Sequence, residues 1–266
     1  MAYPLKFKTI YKDKIWGGNK IKKLLNKDYG DLPKCGETWE LSAVPGDISV
    51  VSNGLWRGQD LKSLLVQHGA AIMGVKLYEK FGIDFPLLIK FIDANQDLSI
   101  QVHPDDALAK KRNQGSGKTE MWYVLQADAQ ASLITGFNQP MSQKAYLEKF
   151  QSGNLMEILN QEQVAKGDVF FLPAGRIHTI GKGLLIAEIQ QTSDVTYRIH
   201  DFERTDEQGN KRDLHLEESL EAIDYTYQPN YKTSYDEESN KRVPLVACPY
   251  FVTNKLSLTN KRTLNA

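Results

Sequence analysis

The sequence predicts a mainly β protein with added helices, in the form of a β-sandwich or barrel. Short runs of β-forming residues, separated by Gly and Pro turns and by an Asn-Gln-Asp turn, occupy residues 85–104, 120–137 and 167–191. Residues 36–54 alternate around a Pro-Gly pair and predict a hairpin. Hydrophobic residues make up 41% of the 266 residues, which is enough for a full core.

Helical signals interrupt these strands. Residues 59–74 combine an Asp start signal, helical apolar spacing and a closing Gly, and residues 19–27 predict a shorter helix. Two short helices near 141–160 and another at 215–224 are interpreted as helical insertions into the β domain.

The charge balance limits the possible partners. Lys plus Arg and Asp plus Glu both number 33, and this zero net charge argues against nucleic acid or an anionic membrane as a partner. We find no signal peptide and no apolar run approaching the roughly 18 residues that a membrane helix needs. The only cysteines, Cys35 and Cys248, indicate a reducing compartment, so a cytoplasmic protein is predicted. The sequence leaves the oligomeric state open.

The stretch "SIQVHPDD" raises the first question of function. Ile100 and Val102 alternate with Ser99, Gln101 and His103, so a strand here has one apolar face and one polar face. An amide and an imidazole two residues apart on one face are suited to binding a ligand.

Two later residues complete a candidate metal site. Glu120 opens an otherwise apolar strand, where a carboxylate is costly to bury without a partner, and His178 lies between two short strands. Imidazole and carboxylate are common zinc ligands. We therefore expect Gln101, His103, Glu120 and His178 to hold one divalent ion. The alternative for each residue is an ordinary hydrogen-bonded, partly buried polar group.

The spacing G-x5-P-x-G-x2-H that ends at His178 resembles the second motif of the cupin family. That resemblance implies a double-stranded β-helix, or jelly-roll barrel, with a metal inside. The first cupin motif is altered here, because Gln101 stands where the family usually has His, and an insertion separates His103 from Glu120.

Four motifs narrow the resemblance. "IQVHPDD", "GKTEMWYV", "PAGRIHTI" and "SDVTYRIHDF" are similar to the type I mannose-6-phosphate isomerases in their short bacterial form, up to about residue 255. This implies a zinc enzyme, with one ion per chain on the four residues above, that interconverts mannose 6-phosphate and fructose 6-phosphate through an enediol. It also implies a catalytic metal-binding domain over 1–242, followed at 243–266 by the incomplete beginning of a smaller C-terminal β domain.

Catalysis needs a base and an electrophile. Arg198, in "SDVTYRIHD", is the candidate electrophile because its guanidinium stays protonated, and the resemblance places the catalytic Arg there. Glu188 lies among apolar residues, where burial raises a carboxyl pKa toward that of a general base. The alternatives are a surface Arg, a Glu that only orients a ligand, and Asp194 or His200 as the base.

The substrate phosphate needs its own partners. Lys118 and Arg204 are candidate cations, and Ser99 offers a hydroxyl. The resemblance implies the same three positions, although lysines and arginines are more often simply solvated.

Two other functions compete with an isomerase. One is a cupin sensor that binds a sugar phosphate without turnover, which the presence of Arg198 and Glu188 disfavours. The other is an iron cupin oxygenase or epimerase, which Gln101 disfavours because oxygenases use His-rich ligand sets.

Overall fold

The computed structural model describes residues 3–205 and 208–259. Its strands are β1 (Ile10–Lys12), β2 (Glu37–Leu41), β3 (Leu87–Ala94), β4 (Ile100–Val102), β5 (Glu120–Ala127), β6 (Ser132–Phe137), β7 (Leu159–Gln163), β8 (Val169–Leu172), β9 (His178–Ile180), β10 (Leu184–Gln191), β11 (Tyr197–His200), β12 (Lys232–Thr233), β13 (Arg242–Ala247) and β14 (Val252–Leu256). Its helices are α1 (Lys20–Leu25), α2 (Leu61–Met73), α3 (Val75–Phe81), α4 (Asp106–Lys111), α5 (Gln143–Gln151), a 3-10 helix (Leu155–Ile158) and α6 (Leu216–Ala222).

Local sequence signals account for the start of α2 but only in part for the hairpin predicted over 36–54. Asp60 caps α2 by accepting a hydrogen bond from the Ser63 N–H at 2.8 Å, as the sequence predicts. The hairpin predicted over 36–54 forms only in part. The Ser49 N–H does donate to the Ser42 carbonyl at 2.9 Å, but β2 takes its ladder partners from β1 and β3. An alternating apolar and polar pattern predicts a β-strand, but it does not show which other alternating strand will be its neighbour in the sheet.

Two antiparallel sheets carry the fold. The larger has seven strands in the order β1-β2-β3-β10-β5-β8-β12, and the smaller has five in the order β11-β4-β9-β6-β7. Strands adjacent in sequence, such as β3 and β4, lie in different sheets, which is typical of a jelly roll.

The main core lies between the two sheets. Trp122 of β5 and Ile186 of β10 project from the larger sheet and share one buried cluster with Leu133 of β6 and Ile180 of β9 from the smaller. Because side chains alternate along a strand, the neighbours of these residues point outward and need separate cover.

The outer faces are covered by different elements. Ile100 and Val102 of β4 pack in one cluster with Tyr146 of α5 and Ile158 of the 3-10 helix. On the other side, Met121 and its neighbours pack against the hairpin formed by β13 and β14. Residues 260–266 of the predicted C-terminal segment lie outside the described residues.

The mainly β architecture with added helices is confirmed. Within residues 3–205 and 208–259, however, no ladder joins the larger sheet to the smaller, so the expected barrel is an open pair of facing sheets. In the described part of the chain no helix is both long and apolar enough to cross a membrane.

The packing of the hairpin formed by β13 and β14 can be tested by shortening one buried side chain. Phe251 is 7% exposed and packs with Met121 and Val169, whereas Val252, next to it, is 69% exposed. We expect Phe251→Ala to lower the free energy of unfolding by about 3 kcal/mol. The matched change Val252→Ala should alter it by less than about 0.5 kcal/mol. Urea unfolding measures both values, and equal effects would contradict the packing described.

Candidate metal centre and active site

Three side chains from different strands meet between the sheets. His103 follows β4, Glu120 begins β5 and His178 begins β9, and one ligand atom of each lies within 4.8 Å of the others. Glu120 Oε1 is 3.3 Å from His178 Nε2, and Glu120 Oε2 is 3.7 Å from His103 Nε2. All three residues are at most 2% exposed.

Hydrogen bonds fix which nitrogen of each imidazole faces the centre. His103 Nδ1–H donates to the Val195 carbonyl at 2.8 Å, and His178 Nδ1–H donates to the Arg176 carbonyl at 2.7 Å. Since a carbonyl only accepts, both Nε2 atoms keep an unprotonated lone pair that points toward Glu120. This is the arrangement in which histidine binds a metal.

The Pro-x-Gly turn predicted from the sequence holds this pair together. Gly175 has φ +88°, and its N–H donates to the His103 carbonyl at 2.9 Å. A Cβ at this position would lie 2.9 Å from the Ala222 carbonyl oxygen, so both the backbone angle and the space favour glycine. The turn thereby ties the strand of His178 to that of His103.

Both imidazoles are neutral at physiological pH. Burial lowers the pKa of His178 to about 4, with the Lys118 ammonium adding to the shift. Burial, and then Lys118, also hold the pKa of His103 well below its ordinary value. Neutral imidazoles are the form that binds metal.

Glu120 provides the test of whether a cation fits. Both of its carboxylate oxygens are buried and neither has a hydrogen-bond partner. The nearest cation is the Lys118 ammonium, 3.0 Å from Oε2 and 3.1 Å from His103 Nε2. A buried carboxylate without hydrogen bonds is costly, and two inward-facing Nε2 atoms beside it complete a donor set that suits a divalent ion.

Gln101 lies at the edge of this cluster. Its amide nitrogen is 3.2 Å from His178 Nε2, and it faces His178 on β9 and Arg198 on β11 in directly paired positions. A half-turn of the amide would present its oxygen to the cluster instead. The register thus places an amide, an imidazole and a guanidinium in one row across three strands.

A cavity of about 280 Å³ opens beside the row. It is lined from the smaller sheet by Gln101 and Arg198, and from the larger by Lys90, Trp122 and Glu188. The remaining lining residues are Lys14, Trp16, Glu37, Ile92, Leu98, Ser99, Lys118, Ile180, Asp194, Thr196 and Arg212. Cationic, anionic and aromatic groups therefore surround a space large enough for a small polar ligand.

Glu188 is held in this cavity by two neighbours. Trp122 Nε1–H donates to Glu188 Oε2 at 2.8 Å, and the Lys90 ammonium is 3.5 Å from Oε1. Burial, followed by the charge of Glu120, raises the pKa of Glu188, while Lys90 and Trp122 oppose the shift. A buried carboxylate with a raised pKa and one oxygen free of hydrogen bonds suits a general base.

A buried ion chain behind Glu188 was missed by the sequence reasoning. Lys90 also lies 3.7 Å from Glu37, which accepts a hydrogen bond from Trp39 Nε1–H at 2.7 Å and lies 3.4 Å from Lys14. Burial opposes ionisation of Glu37, but these cations hold its pKa at about 2. The available signal was Lys90 itself, a charge inside the apolar strand "LLIKFIDA".

Arg198 projects into the cavity from β11. Its Nη1 donates to the Asp213 carbonyl at 2.8 Å, and its Nε is buried without a partner. Burial, followed by the charge of Arg212, lowers its pKa. A fixed guanidinium with an unused donor can stabilise negative charge on a ligand oxygen.

The other predicted residues lie at different distances from the site. Ser99, Lys118 and Asp194 line the cavity. Within the described part of the chain, Arg204 and His200 do not. Arg204 donates to the Asp97 carbonyl and to Asp201. The rings of His200 and Phe202 pack edge to face, with their centroids 5.0 Å apart.

The sequence matches known families. Residues 5–132 match the family model "Phosphomannose isomerase type I, catalytic domain". The chain is 38% identical to the mannose-6-phosphate isomerase of Streptococcus mutans over 267 aligned residues, which cover 97% of this chain and 80% of the relative. It is also 38% identical to a mannose-6-phosphate isomerase of Bacillus subtilis, covering 98% of this chain and 81% of that protein.

Solved structures agree. The crystal structure of mannose 6-phosphate isomerase from Bacillus subtilis superposes with a TM-score of 0.84 at 32% identity, covering 94% of this chain and 78% of that one. A mutant phosphomannose isomerase from Salmonella typhimurium shares the fold, with a TM-score of 0.70 at 15% identity over 91% of this chain and 80% of that one. The chain therefore belongs to the type I phosphomannose isomerases, a family of mannose-6-phosphate isomerase enzymes.

Proposed function

We propose that this isomerase interconverts mannose 6-phosphate and fructose 6-phosphate through an enediol, with one zinc ion held by His103, Glu120, His178 and Gln101. The observation that carries the proposal is the meeting of two inward-facing Nε2 atoms and a buried carboxylate without hydrogen bonds, beside the cavity of Glu188 and Arg198. The relatives named above bear the same activity in their names.

The reaction moves one proton between C1 and C2 of the open-chain sugar, and a second proton between the oxygens on these two carbons. The C–H bond next to a carbonyl is weakly acidic, so a base must take the proton and positive charge must stabilise the oxygen of the enediolate. A zinc ion held by these four residues would supply Lewis acidity for polarising oxygens of the sugar.

The chain's own groups divide the remaining work. Glu188 takes the proton from one carbon and returns it to the other, and Trp122 holds the carboxylate in place for both transfers. The unused Nε–H of Arg198 donates to the oxygen on which charge develops.

Substrate recognition is assigned to cavity-lining groups. Ser99 and Lys118 line the cavity next to the metal ligands, where a hydroxyl and an ammonium can bind sugar or phosphate oxygens. The binding role of Arg204 stays a prediction, as do the cytoplasmic location, the domain boundary at residue 242 and the absence of a nucleic-acid or membrane partner.

Cys35 and Cys248 are both free thiols.

The metal assignment predicts loss of both zinc and turnover in one variant. His103→Ala removes an Nε2 ligand, so bound zinc should fall from about one per chain to less than about 0.1, with no measurable isomerisation. His68→Ala, which removes an imidazole stacked on Trp56 away from the cavity, should keep both. Elemental analysis and a coupled isomerase assay measure the two quantities. Full turnover in metal-depleted His103→Ala would overturn the assignment.

The role of Arg198 predicts a separation of metal binding from turnover. Arg198→Ala should keep one zinc per chain while kcat falls about 100-fold to 1000-fold, because a donor to the developing oxyanion is lost. Arg198→Lys, which keeps the charge without the planar fork, should recover only part of the rate. If kcat and the affinity for the sugar phosphate were both unchanged in Arg198→Ala, the residue would be excluded from catalysis.

The environment of Glu188 predicts the pH profile. Glu188 acts as a carboxylate, so kcat/KM falls as pH drops through its pKa, which burial raises above the ordinary value of 4.5. Trp122→Phe keeps an aromatic side chain but removes the N–H that favours the ionised form, so the acid limb should move to higher pH. Glu188→Gln should lose at least about 100-fold in kcat. An acid limb that Trp122→Phe leaves in place would indicate that another group is the base.

A further inference from the structure

Asp201 joins two arginines at the edge of the cavity. This carboxylate is 6% exposed and accepts hydrogen bonds from Arg204 Nη2 and from two nitrogens of Arg212, with Nε at 2.7 Å. A β-bridge between Thr205 and Lys211 brings the two arms of the loop side by side, which places one arginine on each flank of Asp201.

The two guanidinium groups are not equivalent. Arg204 uses all three of its nitrogens on protein acceptors, including the carbonyls of Asp97 and Asp201. Arg212 uses Nε and Nη2 on Asp201, and its Nη1 donates to no group within the described residues. Arg212 also lines the cavity, whereas Arg204 is not among the described residues that line it.

The charge in the cavity favours an anion near Arg212. Five cations and three carboxylates line the space: Lys14, Lys90, Lys118, Arg198, Arg212, Glu37, Glu188 and Asp194. Outside the lining, Glu120 pairs with Lys118, and Asp201 pairs with Arg212 and Arg204, so six cations face five carboxylates and the net charge is +1. The Lys14, Lys90, Glu37 and Glu188 groups pair with one another. The guanidinium groups of Arg198 and Arg212 instead repel each other, and a phosphate monoester of nearly two negative charges relieves that repulsion.

We propose that Arg212 is a substrate-binding residue whose free Nη1 donates to the phosphate of the sugar phosphate, and that Asp201 is the positioning residue that aims it. The inference rests on the proposed function, because it takes a sugar phosphate as the ligand. Arg–carboxylate pairing at two nitrogens fixes the plane of the guanidinium, so a contact from its remaining nitrogen would cost little conformational entropy.

The test uses the metal-loaded enzyme and two measurements, the steady-state kinetic constants and the affinity for an unreactive sugar phosphate. Arg212→Gln should raise KM for mannose 6-phosphate about tenfold to 100-fold and leave kcat within about threefold, since the phosphate contact is equal in ground and transition states. The dissociation constant of glucitol 6-phosphate, which has no carbonyl and cannot react, should rise by the same factor in calorimetry. Arg212→Lys should recover part of the loss.

A neighbouring lysine supplies the matched control. Lys211→Gln removes the same charge from the adjacent, 63% exposed residue and should change both constants by less than about twofold. Asp201→Asn, provided that its melting temperature shows a folded protein, should raise KM as Arg212→Gln does and also spare kcat.

The outcomes separate this inference from the proposed function. Unchanged constants in Arg212→Gln, equal rises in Lys211→Gln, or a rise in Arg204→Gln without one in Arg212→Gln would each overturn it. Absence of glucitol 6-phosphate binding to the unmodified enzyme would do the same. An unmodified enzyme that binds glucitol 6-phosphate but does not isomerise mannose 6-phosphate defeats the proposed function, whereas the calorimetry still decides the role of Arg212.

Discussion

Burial of the Glu120 carboxylate is the constraint on which the rest of the site depends. Its two oxygens lie between the imidazoles of His103 and His178 with no hydrogen bond to either. A charge in such a place costs several kcal/mol unless positive charge lies close to it, and the chain itself supplies the Lys118 ammonium 3.0 Å from one oxygen. A divalent ion held by the three side chains also meets that need, and the proposed chemistry uses the same ion.

The fold sets this arrangement through strand register. Because side chains alternate, the apolar cover on the outer faces determines which residues face inward: Ile100 and Val102 pack outward under helices, which turns Gln101 toward the cavity. On the facing sheet, Lys90, Glu188 and Trp122 occupy directly paired positions on three adjacent strands. Because the base, the electrophile and the metal ligands lie on or next to strands of two packed sheets, the distances between them are held fixed.

Much of this could be predicted from sequence because the information is local. Alternation around Gln101, the apolar run after Glu120 and the turn before His178 each identify a strand with one polar inward residue. Partners distant in sequence could not be predicted in the same way. The pairing of Glu37 with Lys90, and the pairing of Asp201 with both Arg204 and Arg212, depend on how loops and strands meet in space. Closure of the sheets likewise depends on long-range pairing, and the open edges were not predicted.

The most direct test of the central claim is X-ray absorption at the zinc edge of the metal-loaded enzyme. We expect nitrogen and oxygen ligands at about 2.0–2.2 Å from the zinc, with the multiple scattering of two imidazoles and no sulfur. Sulfur at about 2.3 Å, which would implicate Cys35 or Cys248, or a shell with fewer than two imidazoles, would contradict it.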